Sequence, residues 1–281
     1  MRNNYDFSII TPSYNNLNFI RLCSASIYDQ AGVTYQHIIV DGESNDGTVE
    51  WLNLNDHATI IIEQDDGMYD AINKGLKLSK GDYIAILNAD EQYLTDTLIN
   101  VKTYFENNPK VDIVFGNTLI INDQGNLISF RKTIQPRTSF ILSSHLYILT
   151  CSIFFRRKIF DRGFLFDTKL KAVSDADFIV SLLKHNFKFA HINKYLATFT
   201  ITGENKSTEP STLVESREFF NKSPIWIKVF KLPLNLLRLL EKFLNGCYWQ
   251  KFPLIYEIFT NEYKIQRIIV KNSKASFRFR W

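Results

Sequence analysis

The sequence is poor in cysteine and contains no long apolar run. Its 281 residues include three cysteines, Cys23, Cys151 and Cys247, which lie far apart and form no Cys-x-x-Cys pair. This pattern fits neither a disulfide framework nor a zinc site, and it predicts a reducing compartment. The first residues lack the apolar stretch of a signal peptide, and no uncharged apolar run approaches the roughly 18 residues that a membrane-spanning helix needs. We therefore expect a cytoplasmic protein.

Acidic residues are scarce at the C-terminal end. Residues 222–281 contain eight Lys and four Arg but three Glu and no Asp, a net charge of +9 in a chain whose total is +4. The remainder, residues 1–221, therefore carries a net charge of −5. This asymmetry predicts an acidic domain over residues 1–221 and a basic extension over residues 222–281 that faces a polyanion or an anionic membrane surface. The basic residues are interleaved with Leu, Phe and Ile, which argues against nucleic-acid binding.

Short apolar strands alternate with helical segments through the first half of the chain. The predicted strands are DFSIITPS, QHIIVDG, ATIIIEQ and YIAILNAD, with helices at residues 19–29, at 48–54 and in MYDAINKGLKLSKG. Near-continuous apolar strands separated by helices predict a doubly wound, mostly parallel α/β sheet. Beyond them we expect a hairpin in VDIVFGNTLIINDQGNLISFRK, a loop and short helix over residues 133–150, a strand in CSIFFRRKIF and a helix in DADFIVSLLKHN.

The basic extension has the pattern of an amphipathic helix. In WIKVFKLPLNLLRLLEKFLN, polar residues at 228, 231, 235, 238, 242 and 245 form a narrow stripe beside a broad apolar face. Pro224 is expected to begin this region, and Pro233 to begin or kink its main helix. One interpretation is a helix in a membrane interface, flanked by Trp226, Trp249 and Trp281. The alternatives are a helix packed on the domain's own core, or an apolar face that serves a homo-oligomer.

Carboxylates follow several predicted strands. They are Asp41, Asp65 and Asp66, Asp90, and the pair Asp175 and Asp177. Carboxylates gathered at one edge of a sheet repel one another unless a cation or hydrogen-bond donors compensate them. Oxygen ligands in a chain with few His and no clustered Cys favour Mg²⁺ or Mn²⁺ over zinc. Because Mg²⁺ is usually held by one or two carboxylates plus substrate phosphates, we expect a bound diphosphate.

Four stretches together resemble the motifs of family 2 glycosyltransferases with the GT-A fold. They are SIITPSYNN, IIVDGESNDGT, DDGMYDAINKGLKLSKGDYIAILNAD and CSIFFRRKIF with SDADF, in that order. The resemblance covers residues 6–220. Within the family, this part of the sequence is similar to the bacterial enzymes of colanic-acid and other surface-polysaccharide assembly. It implies an inverting, metal-dependent transfer from a nucleoside diphosphate sugar, by default a UDP-sugar. The implied acceptor is a lipid-linked oligosaccharide at the inner face of the cell membrane.

The resemblance also implies a donor-binding site. The first loop matches the family's nucleotide-binding loop, the second motif holds the base and ribose, an acidic residue lies beside the base, and the NKG helix places a cation toward the donor. In this sequence the corresponding residues are Thr11, Pro12 and Tyr14, then Asp41 and Ser44, then Asp65, and finally Asn73 and Lys74.

NADE stands where the family has its Asp-x-Asp metal motif. The resemblance makes Asp90 the metal ligand, while Asn88 replaces the first acid and keeps an oxygen acceptor without its charge. Glu91 is expected to act through water, or else to lie at the surface or to cap. Asp175 matches the family's general base, which removes the proton of the acceptor hydroxyl. Asp177, two residues later on the same helical turn, points elsewhere, as a cap or as a ligand of an acceptor hydroxyl.

Two other functions fit the same residues. A non-catalytic nucleotide-sugar-binding protein on this fold is favoured by Asn88 and opposed by the intact Asp90 and Asp175. Nucleotidyl transfer shares the chemistry of metal and diphosphate. Some features also have purely structural interpretations: a turn at Asp41-Gly42, surface charges at Arg156 and Arg157, structural His145, His185 and His191, a buried apolar Cys151, and a plain connection instead of a flap at residues 200–211.

Overall fold

The first half of the chain forms the parallel part of a nine-stranded sheet. The computed structural model describes residues 5–202, 210–262 and 266–277. Strands β1 to β4 are mostly apolar, and β1, β2 and β4 are buried because helices cover both faces. In chain order the elements are β1 (Phe7–Ser13), α1 (Leu17–Tyr28), β2 (Tyr35–Asp41), α2 (Thr48–Asn53), β3 (Thr59–Ile62), α3 (Met68–Leu78) and β4 (Tyr83–Ile86).

The second half continues the same sheet with strands of both directions. Its order is β3-β2-β1-β4-β8-β6-β9-β5, with β7 paired to β6. β8 is antiparallel to β4 and β6, whereas β6 and β9 are parallel. The elements are β5 (Glu91–Tyr93), α4 (Thr97–Asn107), β6 (Ile113–Asn122), β7 (Leu127–Arg131), α5 (Thr138–Ser143), β8 (Ile153–Arg156), α6 (Lys158–Asp161), α7 (Ser174–Lys184) and β9 (Phe189–Ile201).

The predicted doubly wound α/β fold is confirmed. The β6–β7 hairpin and the short helix α5 also form where the sequence predicts them. The sequence did not predict β5 or β9. β9 alternates buried and partly exposed residues and contains Asn193 and Lys194, so its apolar pattern is interrupted.

The register of the parallel strands brings the predicted site loops to one edge. Ser13 pairs with Asp41, and Asp41 pairs with Ile62. Ile10 pairs with Ile86, so residues 88–91 begin beside the end of β1. The carboxyl ends of β1 to β4 therefore meet at the edge where open α/β sheets bind ligands.

The C-terminal extension is helical only in part. Helix α8 (Pro210–Asn221) precedes it, and the extension itself contains α9 (Ile225–Val229) and α10 (Lys231–Leu244), followed by the antiparallel strands β10 (Leu254–Ile258) and β11 (Ile268–Asn272). The expectation of a wholly helical extension is wrong because Leu254, Tyr256 and Ile258 alternate at strand period and pack on the β6–β7 hairpin. Pro224 precedes α9, and Pro233 lies in the first turn of α10. Both prolines therefore begin helices.

Two predicted features lie outside the described residues: most of the flap, at residues 203–209, and Trp281. Across the described ranges, no helix is long and apolar enough to cross a membrane.

Helix α10 is inside out. The middle of its polar stripe faces the protein, where Arg238 is 7% exposed and Asn235 donates to the Ser143 carbonyl at 2.9 Å, whereas Lys231 in the first turn is exposed. α9 and α10 do pack on the domain's own core through Ile227 and Leu234, but most of the broad apolar face of α10 points to solvent. The exposed apolar residues of α9 and α10 are Ile225, Trp226, Val229, Leu232, Leu236, Leu237, Leu239, Leu240, Phe243 and Leu244.

Candidate active site

The loops after β1, β2 and β3 converge on Gly42. A Cβ atom added there would lie 2.9 Å from the Asp65 Oδ2 atom and 3.3 Å from the Tyr14 ring, so a side chain at this position would displace the Asp65 carboxylate. The Tyr14 side chain is largely exposed, and Asp65 anchors its own loop by accepting from the Gly67 N–H at 2.7 Å. An aromatic ring and a carboxylate thus flank one backbone position at the ligand-binding edge.

Asp41 and Ser44 form a buried network beneath this position. The Asp41 carboxylate accepts from the Ser44 N–H at 2.8 Å and from the Ser44 hydroxyl at 2.7 Å. Ser44 Oγ in turn accepts from the Asn15 N–H at 2.7 Å. This network ties the second loop to the first, so in this structure it positions the loops.

Three residues that were predicted to contact the nucleotide-sugar donor instead form hydrogen bonds or ion pairs with other residues of the protein. The Thr11 hydroxyl is buried 2.9 Å from His37 Nε2, in a strand whose next residue, Pro12, is also buried. The Asn73 amide binds both the N–H and the C=O of Phe166. The Lys74 ammonium lies 3.0 Å from Glu63 and 3.3 Å from Asp70. In this arrangement these side chains support the site from behind.

The NADE segment places several oxygens in a small volume after β4. The Asn88 N–H donates to Glu91 Oε2 at 2.8 Å, while the buried Asn88 Oδ1 has no hydrogen-bond partner within the part of the chain that the structure describes. Burial raises the pKa of Asp90 to about 6. Glu91 is buried, so the expectation of a surface role for it is wrong. Burial, and then the charge of Asp90, raise the pKa of Glu91 to about 8. An unsatisfied oxygen beside carboxylates that resist ionisation is an environment that a cation would stabilise.

Cys151 lies behind this segment and is fully buried, as its apolar interpretation predicts. Burial, followed by the charges of Glu91 and Asp90, raises the pKa of its thiol. Cys151 therefore remains a neutral wall of the site.

Asp175 lies in the first turn of α7, and its Oδ1 atom accepts from the Ala176 N–H at 2.7 Å. Burial raises its pKa to about 6, against the opposing effects of hydrogen bonds from the Ala176 N–H and the Tyr69 hydroxyl. Tyr69 lies four residues after Asp65, just beyond the loop that follows β3. Its hydrogen bond therefore links this loop, called the donor loop below, to Asp175. Asp177 instead lies near Asp167 and Lys184. The two acids therefore have different surroundings.

Glu215, which no motif of the sequence indicates, holds the segment leading into α7. Its Oε1 atom accepts from the N–H groups of Ala172 at 2.7 Å and Val173 at 2.9 Å, and its Oε2 atom accepts from that of Lys171 at 2.8 Å. Glu215 lies on α8, about forty residues further along the chain, so no local pattern links it to Asp175.

Arg156 and Arg157 are half-buried and bond to backbone carbonyls. Arg156 Nε donates to the Val111 carbonyl at 2.6 Å, and Arg157 donates to that of Ser79. Arg156 pairs with Tyr83, the first residue of β4, so both arginines lie at the edge opposite the site. Their interpretation as surface charges is wrong, and their positions do not favour contact with a diphosphate.

The site fits a divalent cation only with help from a substrate. Among the described residues, no group of three or more His, Cys, Asp or Glu side chains could hold a metal alone. Asp90 and the unpartnered Asn88 Oδ1 offer two oxygen ligands, and diphosphate oxygens are the usual remaining ligands of Mg²⁺ in such sites.

Comparison with known proteins agrees with this geometry. The sequence model described as "Glycosyl transferase family 2" matches residues 8–164, more than half of the chain. A "PGL/p-HBAD biosynthesis glycosyltransferase" of Mycobacterium bovis is 25% identical over 228 residues, which are 78% of this chain and 84% of that protein.

Two solved structures share the fold. One is S. aureus TarS 1-349 in complex with UDP-GlcNAc, with a TM-score of 0.59 and 18% identity over 85% of this chain and 74% of that one. The other is the mannosyltransferase PcManGT from Pyrobaculum calidifontis in complex with GDP-Man and Mn²⁺, with a TM-score of 0.58 and 16% identity over 86% of this chain and 76% of that one. The chain belongs to glycosyl transferase family 2 and is a glycosyltransferase with the GT-A fold.

Proposed function

We propose that this glycosyltransferase inverts the anomeric centre while it transfers a sugar from a UDP-sugar to a hydroxyl of a lipid-linked oligosaccharide. The product would enter cell-surface polysaccharide biosynthesis. TarS in complex with UDP-GlcNAc and PcManGT in complex with GDP-Man support a nucleoside diphosphate sugar as the donor. The resemblance to surface-polysaccharide enzymes supports the acceptor class.

The observation that carries this proposal is the arrangement of oxygens after β4. Asn88 Oδ1 is buried without a partner, and Asp90 is a carboxylate whose ionisation is disfavoured by burial. We assign to these two oxygens the protein ligands of Mg²⁺ or Mn²⁺. When bound there, the metal would neutralise the charge of the leaving diphosphate.

The remaining chemistry belongs to the chain's own residues. Tyr14, stacked on the base, and Asp65, accepting hydrogen bonds, would orient the nucleotide at Gly42. Asp175 would accept the proton of the acceptor hydroxyl as its oxygen bonds to the anomeric carbon and the bond to the diphosphate breaks. Tyr69 holds Asp175 toward the donor loop by a hydrogen bond. Such general-base assistance typically accelerates a reaction by about 10² to 10⁴.

Residues 222–281 supply the attachment to the anionic inner face of the cell membrane in this proposal. The apolar face of α9 and α10 is exposed, and Lys222, Lys228, Lys231 and Lys251 are exposed near it. Apolar area and nearby basic charge together are what an interfacial helix uses to bind anionic lipid. A lipid-linked acceptor would be concentrated at the same surface.

The test is release of nucleoside diphosphate from a panel of nucleotide sugars with Mg²⁺ or Mn²⁺. We expect metal-dependent release from one donor, stimulated by a lipid-linked acceptor and lost in Asp90→Ala and Asp175→Ala. The anomeric configuration of the product, determined by NMR, tests inversion. Tight donor binding without release, even with acceptors present, would leave this chain a nucleotide-sugar-binding protein.

A further inference from the structure

The strand that follows the NADE segment lies at the edge of the sheet. β5 is three residues long and ends the strand order, with β9 as its single neighbour among the described strands. Its residues are nevertheless buried. Buried backbone groups on the open side of an edge strand need hydrogen-bond partners from elsewhere in the chain.

Helix α1 and the β10–β11 hairpin supply these partners. The Tyr93 N–H donates to Ser26 Oγ on α1 at 3.0 Å, and the Tyr93 carbonyl accepts from Arg267 Nη1 at 2.9 Å. The Gln92 side chain accepts from the Phe259 N–H at 2.9 Å and donates to the Phe259 carbonyl at 3.0 Å. Phe259 directly follows β10 and Arg267 directly precedes β11. The hairpin therefore covers the open side of β5.

Arg267 joins three elements through one guanidinium group. Its side chain is 7% exposed, and it pairs with both carboxylate oxygens of Asp29 at the end of α1, the Nη2 to Oδ1 distance being 2.7 Å. Its remaining donors bind the carbonyls of Ser26 at 3.3 Å and Glu257 at 3.0 Å, besides that of Tyr93. Because the donors of arginine form a rigid planar fork, these contacts fix α1, β5 and β10 in one relative position.

β5 in turn fixes the turn that carries Asp90. Glu91, the first residue of β5, donates its N–H to the Asn88 carbonyl at 3.0 Å and accepts from the Asn88 N–H at 2.8 Å. On the other side of the turn, the Leu87 N–H donates to the Ile10 carbonyl at 3.0 Å. The turn is thus held between the end of β4, inside the sheet, and β5, at its edge. A shift of β5 would move Asp90 relative to the end of β4.

We propose that Arg267 is a positioning residue for the metal site, because through β5 it holds Asp90 where a divalent cation would bind. The inference rests on the proposed function, since it takes Asn88 and Asp90 as the protein ligands of the metal. Groups that orient metal ligands typically contribute about 10- to 100-fold to metal affinity or activity. Arg267 lies outside residues 8–164, which match the family model, so the C-terminal extension would complete the site from beyond that segment.

The first test measures Mn²⁺ binding to the full chain with saturating UDP, by electron paramagnetic resonance of the free ion. Arg267→Met removes every donor of the fork and should weaken Mn²⁺ binding about tenfold. Arg267→Lys keeps the charge beside Asp29 but carries its donors on one atom, so its affinity should lie between that of Arg267→Met and the wild type. Each variant is measured well below its unfolding temperature.

Tyr256→Phe is the matched control for a loosened hairpin. The Tyr256 hydroxyl donates to the Gly125 carbonyl at 3.0 Å and so ties the same hairpin to the β6–β7 turn, away from β5. This variant should unfold at a lower temperature but bind Mn²⁺ as the wild type does, whereas Asp90→Ala should abolish binding. Wild-type affinity in Arg267→Met, or equal weakening in Tyr256→Phe, would overturn the proposal.

Hydrogen exchange of the metal-free protein gives a readout that needs neither metal nor activity. Peptides that span residues 88–94 should exchange faster in Arg267→Met than in the wild type or Tyr256→Phe, because β5 loses part of its cover. Peptides from β2 should exchange equally in all three proteins. Unchanged exchange over residues 88–94 would refute the positioning role, whatever the metal does.

Sugar-transfer rates separate positioning from loss of fold. In Arg267→Met, the Mn²⁺ concentration for half-maximal rate should rise, while kcat at saturating Mn²⁺ should approach the wild-type value. A kcat that stays low at every Mn²⁺ concentration would limit Arg267 to a role in folding. If the wild type binds no Mn²⁺ with UDP, the metal assignment of the proposed function fails, and faster exchange over residues 88–94 in Arg267→Met would still show that the hairpin holds this segment.

Discussion

At the scale of single residues, ionisation of the buried Asp175 carboxylate lowers the free energy of unfolding. Burial raises its pKa from 3.8 to about 6 in the folded protein. The folded state therefore binds more protons than the unfolded state between these values, and stability is lost as the pH rises through about 6. We expect Asp175→Asn to raise the free energy of unfolding at pH 7 by roughly 1 to 3 kcal/mol.

Thermal unfolding of Asp175→Asn between pH 4 and 8 checks this expectation, with the exposed Asp123→Asn as the control of equal charge change. The gain in stability should vanish near pH 4, while sugar transfer should fall by about 10² or more at every pH. A variant that is less stable than wild type at pH 7 would show that the ionised Asp175 carboxylate does not destabilise the folded protein.

The same raised pKa predicts the pH dependence of the reaction. A general base must be ionised in the free enzyme, so kcat/KM should fall about tenfold per pH unit below about 6. Initial rates with saturating metal and limiting acceptor measure this limb. An acid limb centred near 4 would show that the base is an ordinary exposed carboxylate and would exclude Asp175 from that role.

At the scale of elements, Glu215 couples α8 to the entry of α7. Its carboxylate accepts three backbone N–H groups at residues 171–173, next to the positive end of the α7 dipole. We expect Glu215→Gln to lower kcat about tenfold with little change in the KM for the donor, because Asp175 loses its fixed position. Its negative charge also raises the pKa of Asp175, so the acid limb should shift to lower pH.

Glu218→Gln is the matched control, because Glu218 is exposed on the same helix and one turn away. It should leave both kcat and the acid limb unchanged. A variant at Glu215 that is merely less stable, with the acid limb unmoved, would limit the role of this residue to folding.

Elements whose sequence pattern depends on local burial were predictable. The strand β4 is a continuous apolar run, β1 and β2 are built around the apolar residues 9–10 and 38–40, and SDADF at the start of α7 places Asp175 in a first helical turn. The strands β10 and β11 and the orientation of α10 were not, because they depend on contacts with the β6–β7 hairpin and α5 that no local period encodes. For the same reason, the bonds of Asn73 to Phe166 were invisible in the sequence, whereas the pair of Lys74 with Asp70, four residues apart on α3, follows the helical period.

At the scale of the whole molecule, the basic charge and the exposed apolar surface both belong to the C-terminal extension. The acidic sheet domain contains the carboxylates of the candidate site, and the basic extension presents the exposed face of α9 and α10. In a helix that is buried by its own domain, the charged residues would face solvent. Here Arg238 and Lys242 face inward, so the leucines of α10 are free for another apolar phase.

We therefore expect the full chain to sediment with vesicles that contain phosphatidylglycerol and to do so less at high salt, since basic charge contributes to binding. The double variant Leu236→Gln, Leu240→Gln removes two apolar side chains from the exposed face, each worth about 1.5 kcal/mol or more when buried in lipid. Vesicle affinity should fall by at least about tenfold.

Leu54→Gln is the matched control for that variant, because Leu54 is 85% exposed on the acidic domain and should not contribute. Light scattering without lipid tests the alternative that the apolar face of α10 binds a second copy of the chain. If the wild type is a dimer that the double variant dissociates, and neither protein binds vesicles, then the apolar face of α10 joins two copies of the chain and lies apart from the membrane. Salt-sensitive vesicle binding by a monomer, weakened in the double variant, would instead assign the apolar face of α10 to the lipid interface, because its exposed leucines adjoin the exposed Lys228 and Lys231.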